Sequence, residues 1–333
     1  MKILITGGTG TFGKNFIKFL IKNYKKKLKR VVVYSRDEFK QGEMSKIYPE
    51  SSLPFMRYYI GDIRDQERLK LALQDINIVL HAAAMKQVPA CENDPFEAIK
   101  TNIIGAQNVV SSCLQSDSVK RVVALSTDKA AAPINLYGAT KLCSDKLFLA
   151  ADNIKGKKKI SFTVVRYGNV MMSRGSVIPL FINQYKKNKV LNITDKKMTR
   201  FNITIEDAVK RVFWCINNLS GGEIYVPKIP SYEITDLAKS IYLNSEKMRY
   251  KIIGIRQGEK IHEELISKGD SANALEAKDH FLILSDLKKK KYSKKKYKKV
   301  PLNFCYSSDD NKKFLNISQL KKLIKSQMDN FNI

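Results

Sequence analysis

Histidine is nearly missing from this chain, with three in 333 residues, at positions 81, 262 and 280. The five cysteines stand at 91, 113, 143, 215 and 305, with no Cys-x-x-Cys pair among them. These absences exclude a recognisable zinc cluster and a disulfide framework, so no metal is expected and the cysteines read as reduced packing residues of a cytoplasmic protein. No apolar run approaches the length of a membrane span, and the opening MKILITGG reads as a strand rather than as the core of a signal peptide. A protein without membrane contact is expected.

Acidic residues are the other scarcity: 32 Asp and Glu face 60 Lys and Arg, a formal net charge of +28. Such an excess is what a nucleic-acid binder shows. Here, however, much of it lies in two lysine-rich stretches, 22–30 and 286–299, with no recognised nucleic-acid motif around them. Steering of an anionic substrate and cofactor, or a bias of composition, accounts for it, and no nucleic-acid partner is expected.

What is present begins with a nucleotide signal. MKILITGGTGTFG reads as strand, glycine turn and helix start, and Gly7, Gly10 and Gly13 are spaced G-x-x-G-x-x-G. That spacing gives a tight turn, close approach of backbone to a pyrophosphate, and a helix N-terminus facing negative charge. Gly7, Thr9, Gly10, Thr11, Phe12 and Gly13 are therefore expected to hold a dinucleotide. RVVVY at 30–34 is a second strand, followed by Ser35 and Arg36, with Lys40 beyond. A hydroxyl and cations suit the 2'-phosphate of NADP, where an NAD site places an acid on the ribose. MRYYIGDIRD at 56–65 is a third strand ending in Asp62 and Ile63, which meet the adenine unless Asp62 caps the next helix. INIVLHAAA at 76–84 is a fourth, whose small Ala82 and Ala83 let the cofactor pass, and Lys86 leaves the sheet beyond it as a candidate substrate contact. Pro95 opens a helix through FEAIKTNIIGAQNVVSSCL. Asn102 lies within it, either supporting the residues described next or as plain structure, and Gly105 suggests close packing on the following strand.

Residues 126–141, STDKAAAPINLYGATK, organise the chain. They follow VVAL, a buried strand, and end in Tyr137 and Lys141 on one helix face. A Tyr hydroxyl beside a nicotinamide takes a proton from a substrate alcohol, while a Lys one turn later lowers the Tyr pKa and holds the ribose. Asp128 and Lys129, just past the strand, add an acid and a base that simple alcohol oxidation does not need.

ISFTVVRYGNV at 160–170 is a sixth parallel strand, after which a substrate lobe is expected to begin. At that junction Asn169 is placed to donate to a diphosphate, and GSVIP at 175–179 opens a helix facing the same group. Arg200 precedes a further helix. Arg256, Glu259 and Lys260 surround Gly258 in a loop, where Arg256 can grip a diphosphate bidentately, and a helix carrying His262 and Glu263 is expected to follow. The alternation predicts an α/β protein: a Rossmann-type doubly wound parallel sheet with a smaller mixed α/β substrate-binding lobe. Residues 1–170 form the NADP-binding domain with the catalytic residues. Residues 171–333 form mainly the lobe, with some segments returning.

The motifs TGGTGTFG, YSRDE, GDIRD, HAAAMKQVP, TNIIGAQNV, LSTDKA, NLYGATK, VRYGNV, SRGSVIP, MTRF, VPKIP and IRQGEKIHEEL run in order over nearly the whole chain. In them the chain resembles the extended short-chain dehydrogenase/reductase superfamily and, within it, the soluble inverting UDP-N-acetylglucosamine 4,6-dehydratases that begin pseudaminic acid biosynthesis in bacteria with glycosylated flagellins. Lys129 discriminates: configuration-retaining relatives have Thr-Asp-Glu where the inverting ones have Thr-Asp-Lys. Membrane-bound relatives tend to have Met at the position of Tyr137. The resemblance implies that Tyr137 and Lys141 serve oxidation at C4, Thr127 holds the 4-hydroxyl, Asp128 and Lys129 carry out elimination, and the Arg200 and Arg256 region takes the nucleotide part of a UDP-sugar, with Glu259 beside it. It also implies a tightly bound NADP recycled in each turnover, and a homo-oligomer, dimer or hexamer. For Lys129 to act as a base its pKa must fall, with burial and nearby Lys141 as the expected causes.

Overall fold

The computed structural model describes residues 1–173, 175–242, 248–285, 292 and 296–331. Most of the 286–299 stretch lies outside the described residues.

The first half is built by alternation. Strands β1 (Lys2–Thr6), β2 (Arg30–Ser35), β3 (Met56–Ile60), β4 (Ile78–His81), β5 (Arg121–Thr127) and β6 (Ser161–Tyr167) are interleaved with α1 (Thr11–Tyr24), α2 (Glu38–Ile47), α3 (Gln66–Ala72), α4 (Val88–Asn93), α5 (Pro95–Ile99), α6 (Gly105–Gln115) and α7 (Leu136–Ile154). The central strands are near-continuous apolar runs because helices cover both faces of a parallel sheet, leaving no solvated side; Ile3, Leu4, Ile5, Val31, Val32 and Val33 are all fully buried.

The second half adds β7 (Asn169–Val170), α8 (Val177–Lys186), β8 (Leu191–Ile193), β9 (Thr199–Ile203), α9 (Ile205–Asn218), β10 (Glu223–Pro227), β11 (Ser231–Glu233), α10 (Ile234–Ile241), β12 (Tyr250–Ile252), β13 (Glu264–Ile266), β14 (Ala274–Glu276), β15 (His280–Leu284), β16 (Lys298–Lys299), β17 (Tyr306–Ser307) and α11 (Ile317–Phe331). The large sheet has ten strands in the order β16-β14-β15-β10-β6-β5-β4-β1-β2-β3. From β3 through β10 every neighbouring pair is parallel; β15, β14 and β16 close that edge antiparallel. The expected doubly wound sheet is present, and its order reverses between β1 and β4, where such sheets bind ligands beyond the strand ends.

One core cluster spans this sheet and takes in α9, β10 and β13 to β15. A second gathers Met171, Met172, Phe181, Leu191, Tyr232, Leu237 and Leu320 from α8, β8, β11, α10 and α11. The small lobe is thus assembled from separate stretches after residue 170, while α9 packs back on α1 through Phe213 and Phe19, with ring centroids 5.4 Å apart.

Three local readings differ from expectation. The helix from Pro95 is interrupted by a π-helical turn over Lys100–Ile104, a distortion that collects at functional sites. Gly105 makes room for Ile63 rather than for the following strand: a Cβ there would lie 2.6 Å from Ile63 Cδ1. The helix expected at His262 and Glu263 is absent; Glu263 ends a turn that runs into β13, which pairs antiparallel with β17.

Candidate active site

A single cavity of about 770 Å³ runs from the glycine turn to the small lobe, along the carboxyl ends of the parallel strands. Of the residues read from sequence as catalytic, cofactor-binding or substrate-binding, all but Asp128 line it.

At one end, Gly7 has φ +65°, and a Cβ on it would meet Ala83 Cα at 2.9 Å. The glycine is needed for both the turn and the close approach of the β4 exit. A Cβ on Gly13 would lie 2.4 Å from the Gly8 carbonyl, so the third glycine seats α1 on the turn. The start of α1, at Thr11, therefore faces the cavity with its first amides free of helical partners. Thr6 Oγ1 accepts from the Ala82 and Ala83 amides at 3.2 and 3.3 Å and fixes that wall.

At the β2 end, Asp37 caps α2 and is paired with Lys40, so that lysine is already engaged. The Arg36 side chain is 57% exposed, 3.7 Å from Asp62. Ser35 Oγ accepts from Gln41 Nε2 at 3.0 Å and keeps its own hydrogen to donate. Asp65, not Asp62, caps α3. Burial raises the Asp62 pKa, but bonds from Arg64 outweigh it and hold the group below its usual value.

At the centre lies an acid–base cluster. Lys129 Nζ is 2.9 Å from Asp128 Oδ1, 3.1 Å from Asn169 Oδ1 and 3.1 Å from Glu263 Oε1. Asp128 is completely buried behind the wall. Its Oδ1 also accepts from Thr127 Oγ1 at 2.9 Å, while its Oδ2 has no partner among the described residues. An unsatisfied buried polar atom costs about 1–3 kcal/mol, a cost most readily retained where the group has work to do. Burial pushes the Asp128 pKa up, and Glu263 adds to this. Lys129 corrects the expectation of a lowered pKa: burial pulls it down, but Asp128 and Glu263 prevail and hold the ammonium well above its ordinary value.

Tyr137, at the start of α7, is pushed up to about 12 by burial, against the Lys129 charge and a hydrogen bond with Thr127. Lys141 gives its Nζ to the Leu125 carbonyl at 2.8 Å, and burial lowers its pKa. The cation working on the phenol is thus Lys129, although Lys141 stands on the same helix face. Gly138 couples the two elements: a Cβ there would lie 2.2 Å from the Lys129 carbonyl, so only glycine lets α7 press against the turn holding Lys129. Asn135 caps α7 through Gly138 N at 2.7 Å and donates to the Gly258 carbonyl at 2.7 Å. Asn102, in the π turn, clamps the Met85 peptide with bonds of 2.8 and 2.9 Å and reaches Thr140 Oγ1 at 3.0 Å. It ties the segment carrying Lys86 to the catalytic helix.

On the lobe side, Arg200 is nearly buried, with its guanidinium given to the Thr199, Ile261 and Lys260 carbonyls at 2.8, 2.8 and 3.0 Å and to Glu259 at 3.5 Å. It anchors the 259–263 turn instead of offering a free fork to a diphosphate. Asn169, read as a diphosphate donor, accepts from Lys129 through Oδ1 and gives its amide to Tyr232. Arg256 is exposed at the cavity edge and remains available. Lys86 also faces the cavity, its pKa lowered by burial and by Lys129.

The family model for polysaccharide biosynthesis protein matches residues 3–285. The chain belongs to this family. Within the extended short-chain dehydrogenase/reductases, it is 50% identical to a UDP-N-acetylglucosamine 4,6-dehydratase (inverting) of Campylobacter jejuni, over 97% of this chain and 96% of that one. It is 42% identical to a UDP-glucose 4-epimerase of Rickettsia bellii, covering 97% and 94%. Among solved structures, Pen from Bacillus thuringiensis superposes with a TM-score of 0.87 at 38% identity, covering 98% of each chain.

For this polysaccharide biosynthesis family member, the functional residue that sequence reading passed over is Glu263. Its signal was an acid next to His262 in a segment read as a helix, where alternate residues would turn away. In the strand-entry turn, His262 bonds Thr199 Oγ1 at 2.9 Å while Glu263 points the other way, into the cluster.

Proposed function

We propose that the protein is a UDP-N-acetylglucosamine 4,6-dehydratase that inverts C5, yielding UDP-2-acetamido-2,6-dideoxy-β-L-arabino-hex-4-ulose. The observation that carries this is Lys129, paired with Asp128 behind the wall and facing one cavity together with Tyr137. The glycine turn, which added side chains would fill, fits a nicotinamide dinucleotide; when bound, that group supplies hydride acceptance from C4 and hydride return to C6. Tyr137 takes the proton of the 4-hydroxyl, which Thr127 holds. The resulting ketone acidifies the hydrogen on C5. A proton shift across the 2.9 Å contact turns the Lys129 ammonium and Asp128 carboxylate into a neutral base and a neutral acid without outside protons. Lys129 then takes the C5 proton. Asp128, behind the wall, passes its own to the departing 6-hydroxyl through Thr127 Oγ1, and water leaves. Protonation of C5 from the opposite face inverts it and balances the proton Tyr137 removed.

The second reading, a UDP-sugar 4-epimerase, is favoured by the Rickettsia relative, but gives no task to a buried acid–base pair. Incubating the purified chain with UDP-N-acetylglucosamine separates them: a product lighter by one water supports the dehydratase, and a C4 epimer of unchanged mass supports the rival.

NADP is the proposed cofactor, because Arg36 is the cation at the β2 end with donors to spare. Arg36→Ala should weaken NADP far more than NAD in calorimetric titration, and equal losses would remove the assignment. The five free cysteines fit action in the cytoplasm, and among the described residues no helix is long and apolar enough to cross a membrane. Flagellin glycosylation through pseudaminic acid is the proposed destination of the product, by resemblance. A homo-oligomer, dimer or hexamer, is proposed on the same ground; light scattering that finds only monomer contradicts it.

A further inference from the structure

We infer that Glu263 is the counter-ion that keeps Lys129 charge-compensated while Asp128 carries a proton. Glu263 is 3% exposed, with Oε1 3.1 Å from Lys129 Nζ and 3.7 Å from Arg200 Nε, and with Oε2 lacking a partner among the described residues. Its backbone is pinned on both sides: its amide donates to Ser308 Oγ at 2.9 Å, and its carbonyl accepts from the Ser308 amide at 2.8 Å. A carboxylate so held is aimed at Lys129 by the fold and cannot swing to solvent.

This rests on the dehydratase reading, and the charges follow from it. At rest the cluster holds Asp128 and Glu263 as anions around the Lys129 ammonium. When a Lys129 proton moves to Asp128 Oδ1, and Lys129 then takes the C5 proton, the electron pair of the C–H bond passes into the enolate. Lys129 is again an ammonium, but Asp128 is now neutral, and the anion left in contact is Glu263. Glu263 attracts Lys129 equally before and after this step. It repels the Asp128 anion before the step and the enolate after it, and Asp128, which shares Lys129 with it, is the anion its charge presses hardest, so its net effect favours the protonated acid. Arg200 and Lys260 balance Glu263 from the other side. Because Glu263 acts through Lys129 and Asp128, it is a positioning residue.

The test is Glu263→Gln with NADP and UDP-N-acetylglucosamine in deuterated buffer. A single turnover followed by reduced-cofactor absorbance reads C4 oxidation, and NMR reads deuterium entering C5. Oxidation should proceed at close to the unmutated rate while exchange falls by about 10²-fold, the lower range of a general acid–base contribution. Equal losses in both would make Glu263 a mere support of the site's shape and overturn the inference, as would unchanged exchange. If the Gln variant does not fold, Glu263→Asp decides: it keeps the charge one methylene further off, so exchange should fall several-fold with oxidation kept, and exchange at the unmutated rate overturns the inference. An unmutated chain that neither reduces cofactor nor exchanges C5 contradicts the dehydratase reading itself and takes this inference with it.

Discussion

Lys129→Ala should keep hydride transfer from C4 measurable while deuterium exchange at C5 and release of water fall by about 10²- to 10⁴-fold, the range of a positioned acid–base group. Oxidation depends on Tyr137, and survives. It should nevertheless shift with pH in a defined direction: the Lys129 charge favours the phenolate, so its removal raises the Tyr137 pKa and moves the rising limb of the oxidation rate to higher pH. Asp128→Asn removes the group that accepts the Lys129 proton, so exchange and water release should both slow there, with oxidation kept. The checks are single-turnover absorbance for the first step and NMR of C5 for the second. Exchange at the unmutated rate in Lys129→Ala, with inverted product still released, would place the base elsewhere.

Tyr137→Phe should remove the first step instead. The phenol is the group placed to take the 4-hydroxyl proton, and a loss of about 10²- to 10⁴-fold in C4 oxidation is expected, again from the acid–base range. Everything downstream falls with it, because without the ketone the C5 hydrogen is not acidic. The fold should be unaffected, since the ring packs with Cys91 and Ala98 and phenylalanine fills the same space; the unfolding midpoint should stay near that of the unmutated protein. Oxidation at the unmutated rate in this variant would contradict the assigned role.

Much of this site was legible because its signals are local. The glycine turn, the apolar strands and the Tyr137–Lys141 helix face each follow from neighbours in sequence, and the strand order then brings them to one cavity. What escaped depends on contacts between distant segments. The ammonium of Lys129 is held by Asp128 beside it together with Glu263, 134 positions on by residue number, and burial alone pointed in the wrong direction. Arg200 and Asn169 looked like free donors because nothing local shows that the Lys260 and Ile261 carbonyls occupy the first and Tyr232 the second. The π turn at Lys100–Ile104 was invisible since its apolar spacing is that of an ordinary helix.

The most direct test of the C5 chemistry is proton NMR of the product formed from UDP-N-acetylglucosamine in deuterated buffer. The account predicts a 4-keto-6-deoxy sugar with deuterium at C5 and the configuration there inverted. A product that retains its C5 configuration, or that keeps the original C5 hydrogen, would contradict it.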